Sequence, residues 1–232
     1  MESRFSNLAL NVLFPRFCLS CNKEGSIWCE ACDQALVFRP SNAACPFCSK
    51  SGSDWTCRKC ESHVYLNGLS SFVPYGNPVV RGALNHWKYY GDRSVERVIK
   101  KWLHRSVSRL VPPFFLFHVT HVPSHISKHR ARGFDQAEKV SHFASEIFTQ
   151  EWSRLLIRRQ KTRSQASVNH LERKVGELDG IYEIHPSVQR LPENVLLCDD
   201  VFTSGATMDA AAKCLKEAGV KKVWGFVVAK GG

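Results

Sequence analysis

The sequence predicts an α/β fold, a mostly parallel sheet with helices on both faces, carrying a small N-terminal module organised by cysteines. Two observations predict it. Eight of the ten cysteines fall before residue 61 in four pairs of one spacing. From about Leu69 onward, short apolar runs alternate with helical patterns, which places crossover helices over a parallel sheet. A chain of 232 residues, 44% hydrophobic and 23% charged, buries an ordinary core and is not a disordered polymer. The natural division is a cysteine module over 1–66 and an α/β domain over 67–232.

The first apolar run, Leu8 to Phe14, is interrupted by Asn11 and closed by Pro15. It falls well short of the roughly 20 apolar residues of a membrane span and is expected to pack on the neighbouring module. Neither a signal peptide nor a transmembrane helix is assigned, and a cytoplasmic location is expected.

The four pairs are Cys18-x-x-Cys21, Cys29-x-x-Cys32, Cys45-x-x-Cys48 and Cys57-x-x-Cys60. A C-x-x-C pair puts two thiolates on one tight turn, and two facing turns complete a tetrahedral four-sulfur shell for zinc. Eight ligands make two sites. Without a secretory signal, disulfides are disfavoured, and the short even knuckles favour zinc over an iron–sulfur cluster. The simplest pairing is sequential, Cys18, Cys21, Cys29 and Cys32 against Cys45, Cys48, Cys57 and Cys60; an interleaved pairing is the alternative. Two all-cysteine shells leave no open position, so both zinc ions are structural, and the metal supplies most of the module's folding free energy. The short segment between Cys60 and Leu69 predicts that the module packs on the domain.

In the domain, Phe114 to Val122 reads as a strand, Pro123 to Gly133 as a basic loop with Lys128, Arg130 and Arg132, and Phe134 to Phe148 as a helix. Asp135 suits that helix's N-cap. The C-terminal unit is clearer still. Val195 to Cys198 is a buried strand leading into Asp199 and Asp200, then a small-residue loop Thr203-Ser204-Gly205-Ala206-Thr207. A helix with Met208, Ala211, Ala212 and Leu215 on one face follows, stopped by Gly219, and Val223 to Ala229 is the next strand. Ligands of open α/β sheets bind at the carboxyl ends of the strands. The loop offers hydroxyls and backbone N–H groups to an oxyanion at a helix N-terminus, with Gly205 permitting close approach. The two aspartates suit a sugar diol or a cation instead, so the two elements describe a 5-phosphorylated ribose held at both ends.

Net charge is +11. Through Ser70 there are 7 Lys/Arg against 6 Asp/Glu, leaving 25 against 15 for the remainder, so the positive field belongs to the large domain and suits an anionic partner. Arg97, Lys101, Arg105 and Arg109 recur every four residues, one basic stripe on a helix whose buried side takes Val98, Trp102 and Leu110. Trp87, Tyr89 and Tyr90 flank Lys88, a combination able to stack bases and contact a phosphate backbone.

Residues 196 to 207, Leu-Leu-Cys-Asp-Asp-Val-Phe-Thr-Ser-Gly-Ala-Thr, resemble the phosphoribosyl pyrophosphate motif of type I phosphoribosyltransferases, with Ser204 where a second Thr is more usual. Arg132-Gly133-Phe134-Asp135-Gln136 resembles the Arg-Gly-Phe-Asn-Gln signature of the ComF/GntX family, relatives of competence protein F that join a double zinc ribbon to a phosphoribosyltransferase domain; Asp135 stands in place of Asn. The segment from Tyr75 to Gly91 and the basic stretch Arg158 to Gln165 ahead of Glu172-Arg173 are similar to the family's, with Gly176 in place of an expected Asn.

That resemblance implies a type I phosphoribosyltransferase-like fold and a site for phosphoribosyl pyrophosphate with Mg²⁺. Thr203 to Thr207 would take the 5-phosphate. Lys128, Arg130 and Arg132, with flexible-loop residues Lys161 and Arg163, would face the pyrophosphate, and Asp199 and Asp200 the ribose. Asp199, Asp200 and Arg132 would be the catalytic set if the protein is a transferase. It also implies a role in natural transformation, with single-stranded DNA at Lys88, Arg97, Lys101, Arg105 and Arg109 and a helicase-like partner. A transferase with a small-molecule acceptor, a GntX-like role in nutrient uptake, and a zinc-ribbon adaptor without catalysis are the alternatives.

Overall fold

The computed structural model describes residues 15–36, 44–106, 116–127, 132–159 and 180–231. The apolar run at 8–14 and the site candidates Arg109, Lys128, Arg130, Lys161 and Arg163 lie outside them. So do Leu110, Glu172, Arg173 and Gly176.

The elements in chain order are α1 (Glu30–Ala35), α2 (Arg58–Glu61), β1 (Gly68–Pro74), α3 (Pro78–Tyr90), α4 (Arg93–Ser106), β2 (His118–His121), α5 (Gln136–Phe148), β3 (Leu156–Arg158), β4 (Tyr182–Ile184), β5 (Asn194–Phe202), α6 (Ala206–Glu217) and β6 (Lys222–Lys230). Four strands form one parallel sheet in the order β1-β6-β5-β2. β3 and β4 make a separate antiparallel pair. The α/β class and the parallel sheet follow the sequence reading.

Alternation along β5 explains why its run is apolar throughout. Leu196 and Cys198 pack with Val80, Leu84, Trp87, Ile99, Trp102, Val140 and Phe143 of α3, α4 and α5. Val195 and Leu197 pack on the other side with Met208, Ala211, Ala212 and Leu215 of α6. A strand covered on both faces has no solvent side to carry polar residues.

Local chemistry sets the helix ends. Asn77 caps α3 by accepting from the Val79 amide at 2.9 Å, with Pro78 behind it. Gly91, at φ 61°, ends that helix with its amide on the Trp87 carbonyl. Asp135 caps α5 through the Ala137 amide at 2.9 Å. Of the strand expected from Phe114 to Val122, Phe114 and Phe115 lie outside the described residues, and His118–His121 pair with β5.

The cysteine module is seated on the domain along two lines. Trp28 meets Trp102 of α4 edge to face at 5.1 Å, and the buried Asp33 of α1 takes Lys101 Nζ at 2.7 Å and Arg105 NH1 at 2.9 Å on one carboxylate oxygen. Further along, Trp55 meets Trp224 of β6 at 5.2 Å and forms a bridge with Gly68. The Asp209 carboxylate of α6 accepts from the Tyr65 and Leu66 amides at 2.7 and 2.9 Å.

Candidate functional site

β5 ends in the acidic pair. Asp199 Oδ1 accepts from the Asp200 amide at 2.8 Å and Asp200 Oδ1 from the Val201 amide at 2.9 Å, so backbone fixes both carboxylates. Lys88 Nζ at the C-terminal end of α3 lies 3.4 Å from Asp200 Oδ2. Burial at the strand end, with the Asp200 charge beside it, holds the Asp199 carboxyl well above the usual carboxylate range. An approaching cation or sugar hydroxyl would relieve both penalties.

The loop beyond is polar and open. Thr203, Ser204, Ala206 and Thr207 are exposed, whereas Gly205 between them is buried. Gly205 is the N-cap of α6 in the left-handed region, φ 80°. A β-carbon there would sit 2.4 Å from Phe202 Cζ and 2.8 Å from Phe47 Cε1. Glycine is thus required twice, by backbone conformation and by space. Phe47 belongs to the third cysteine knuckle, and its ring stands edge to face on Phe202 at 5.8 Å. The floor of the loop is therefore built partly by the cysteine module.

The wall opposite comes from the β2–α5 connection. Asp135, buried, accepts from the Ser124 amide at 3.1 Å with one oxygen and caps α5 with the other. An aspartate thus serves the position by fixing the loop's exit. Arg132 NH1 donates to Gln136 Oε1 at 3.3 Å, Gln136 Nε2 donates to the Lys88 carbonyl at 3.3 Å, and the Arg132 guanidinium lies over the Tyr89 ring at 5.9 Å. Arg132, Lys88 and the acidic pair are joined by this chain of contacts. Lys88, grouped by sequence with the α4 stripe, is instead placed against Asp200. His125 is partly exposed, its Nδ1 bonded to the Ser127 hydroxyl at 2.7 Å.

The stripe on α4 is divided in the same way. Trp102 is buried and Val98 partly so, as helical spacing requires. Lys101 and Arg105 are engaged by Asp33, however, which turns them toward the module. Arg97 lies further up the helix and donates to Ser94 Oγ at 3.3 Å.

The cysteines fall into two groups, Cys18, Cys21, Cys29 and Cys32, and Cys45, Cys48, Cys57 and Cys60, each with its sulfurs within 4.8 Å of one another. Pairing is sequential, not interleaved. Cys21 and Cys29 Sγ stand 3.6 Å apart, as do Cys48 and Cys57, close to the edge of about 3.8 Å that a tetrahedron of Zn–S bonds of about 2.3 Å requires. The Cys29 and Cys57 amides point at Cys18 and Cys45 Sγ at 3.4 Å. Burial opposes ionisation of Cys18 and Cys45, yet these and neighbouring amides bring each thiol down to about 6. Cys60 is pushed up to about 12, first by its hydrogen bond with Cys48. Cys57 is lowered as well, first by the Cys60 backbone amide, and thiols so readied for ionisation fit a structural metal such as zinc.

No family model matches the chain. Two curated relatives do. Competence protein ComFC of Streptococcus pneumoniae (strain ATCC BAA-255 / R6) is 26% identical over 207 residues, 88% of this chain and 87% of that protein. Competence protein ComFC of Bacillus subtilis (strain 168) is 29% identical over 202 residues, 82% and 78% of the respective lengths. The chain is thus similar to ComF-family competence proteins over more than four fifths of its length. Among solved structures, the AQ2163 protein from Aquifex aeolicus aligns with a TM-score of 0.37 at 11% identity, over 68% of this chain and 86% of that one, too distant to bear on the site.

Several residues of this ComF-like candidate site carry no local sequence signal. Phe47, Asp33 and Asp209 look like ordinary module and helix residues. Tyr182 on β4 keeps a buried hydroxyl with no hydrogen-bond partner among the described residues; burial pushes it up from its ordinary value, and the Asp199 charge adds to that. Among the described residues, no helix is long and apolar enough to cross a membrane.

Proposed function

We propose that the protein binds phosphoribosyl pyrophosphate with Mg²⁺ at the carboxyl end of β5 and acts in competence, the process for which both relatives are named. One observation carries the first part: a backbone-fixed acidic pair runs directly into an exposed hydroxyl loop at the N-terminus of α6. Thr203, Ser204 and Thr207 hydroxyls and the first amides of α6 suit the 5-phosphate. Asp199 and Asp200 suit the ribose diol and would help place Mg²⁺. Arg132, steadied by Gln136, supplies charge on the pyrophosphate side. Bound Mg²⁺ would neutralise charge on the departing pyrophosphate. The acidic pair would favour the cationic ribose that develops if a nucleophile displaces it.

Calorimetric titration of the zinc-loaded chain with phosphoribosyl pyrophosphate and Mg²⁺, beside an Asp199→Ala/Asp200→Ala variant, tests this. Saturable binding that the variant loses is expected. A folded wild type that binds nothing would overturn the reading.

A second reading, single-stranded DNA at the mouth of the same site, is favoured by Tyr89 and Tyr90, 70% and 76% exposed beside Arg132 and Lys88. Aromatic stacking contributes about 1–3 kcal/mol per base. Tyr89→Ala/Tyr90→Ala should weaken binding of an oligothymidylate by about tenfold or more. Affinity should also fall steeply with salt. Binding indifferent to both would remove this reading.

A further inference from the structure

One cleft among the described residues lies away from β5. It encloses about 670 Å³ between the first cysteine cluster and α4, and its lining includes Arg16, Trp28, Glu30, Asp33, Ser94 and Arg97. That volume is in the range that holds a nucleotide-sized molecule.

Its charges are arranged unusually. Arg16 NH1 and Arg97 NH2 both donate to the one Ser94 hydroxyl, at 2.7 and 3.3 Å. Two guanidiniums brought to one neutral oxygen repel each other, and among the described residues neither forms an ion pair. Nearby carboxylates are already engaged. Asp92 accepts from the Ser94 amide at 2.7 Å and faces His86 at 3.4 Å, while Asp33 Oδ2 holds Lys101 and Arg105. Ser94 lies in the first turn of α4, a helix of 14 residues whose N-terminus adds positive potential.

Asp33 is buried, 4% exposed, and among the described residues its Oδ1 has no hydrogen-bond donor and the Trp28 indole nitrogen no acceptor. Both residues line the cleft.

We propose that this cleft binds a small phosphate monoester of nucleotide size. Arg16, Arg97 and Ser94 hold its phosphate. The arrangement favours a single phosphate over a polyanion: Glu30 and Asp33 line the cleft too, and a second phosphate would meet their charge. The site is shared between the cysteine module, which brings Arg16, Trp28 and Asp33, and α4, which brings Ser94 and Arg97. It is independent of the sugar-phosphate reading of the β5–α6 loop.

The test uses the full chain, zinc-loaded, titrated at low salt with adenosine 5′-monophosphate and separately with inorganic phosphate. A binding component is expected that Arg97→Gln and Arg16→Gln each weaken at least tenfold, that Ser94→Ala weakens several-fold without altering charge, and that Thr207→Ala in the β5–α6 loop leaves intact. Inorganic phosphate alone should compete with the monophosphate but bind more weakly. Absence of saturable binding by folded wild type overturns the proposal, as does binding that the arginine and serine variants leave unchanged. A twelve-nucleotide single strand without terminal phosphate completes the test. If it displaces the monophosphate with higher affinity in an Arg97-dependent way, the occupant is a nucleic-acid backbone and the small-ligand assignment fails.

Discussion

Gly205→Ala should be far more disruptive than a methyl group on an exposed loop would ordinarily be. Residue 205 has φ 80°, and an alanine held in left-handed backbone costs about 1–2 kcal/mol. Its methyl would also lie 2.4 Å from Phe202 Cζ and 2.8 Å from Phe47 Cε1, distances that no side-chain flexing alone removes, since both rings pack on each other. Overpacking of this kind costs about 1–3 kcal/mol. The sum is about 2–5 kcal/mol, or roughly 2–4 °C of Tm per kcal/mol for a chain of this size. Urea denaturation at constant m-value measures the first quantity, and phosphoribosyl pyrophosphate titration shows whether the displaced loop still holds a phosphate. Phe47→Ala separates the two clashes. In that background the Gly205→Ala cost should fall by about 1 kcal/mol, a coupling typical of residues in contact. Gly205→Ala within about 0.5 kcal/mol of wild type, or a cost indifferent to Phe47, would refute the argument that the cysteine module forms the loop's floor.

Other perturbations follow from the same contacts. Asp33→Asn leaves Lys101 and Arg105 facing a neutral amide; because those cations are 59% and 40% exposed, the loss should be about 1–2 kcal/mol by chemical denaturation, below that of a fully buried pair. Chelation should release two equivalents of metal, read with a colorimetric zinc indicator, and cost the α/β domain about 1–3 kcal/mol through lost packing of Phe47 and Trp55. Metal release should rise as pH falls, since protons compete for the thiolates. Asp199 takes up a proton more readily folded than unfolded. In the window above the ordinary aspartate value, stability without ligand should therefore fall as pH rises, and Asp199→Asn should flatten that slope in a Tm-against-pH series.

What the sequence made legible was whatever depends on neighbours a few residues away. The β5–α6 unit could be read because strand, acidic pair, hydroxyl loop and helix are consecutive, and the metal clusters because each knuckle is a four-residue turn. The Asp135 cap was legible for the same reason. Contacts that place the site's walls join residues far apart in the chain: Lys88 and Asp200 are separated by 112 positions, Asp33 and Arg105 by 72, Leu66 and Asp209 by 143. Helical spacing correctly put Arg97, Lys101 and Arg105 on one face, with Trp102 turned inward. It carried no information on whether that face meets solvent or Asp33, since periodicity specifies direction around a helix and not what lies beyond it.

That distinction changes how the cysteine module is understood. A module of about 45 residues has little core of its own and depends on metal for its fold. Here its apolar side chains are placed in the domain: Trp28 on Trp102, Trp55 on Trp224, Phe47 on Phe202. The last contact lies directly beneath Gly205, and the Asp209 carboxylate in the first turn of α6 is held by the Tyr65 and Leu66 amides. The start of α6 is therefore fixed from below by Phe47 and from the side by residues 65 and 66, both positioned by the second cluster. A metal ion at Cys45, Cys48, Cys57 and Cys60 would stabilise more than its own turns: any free energy it adds to the knuckle is shared with the phosphate-loop conformation. By thermodynamic linkage a ligand in that loop must strengthen metal retention by the same factor. Phosphoribosyl pyrophosphate should thus slow chelator-driven release from the second cluster more than from the first, and Phe47→Ala should erase the difference.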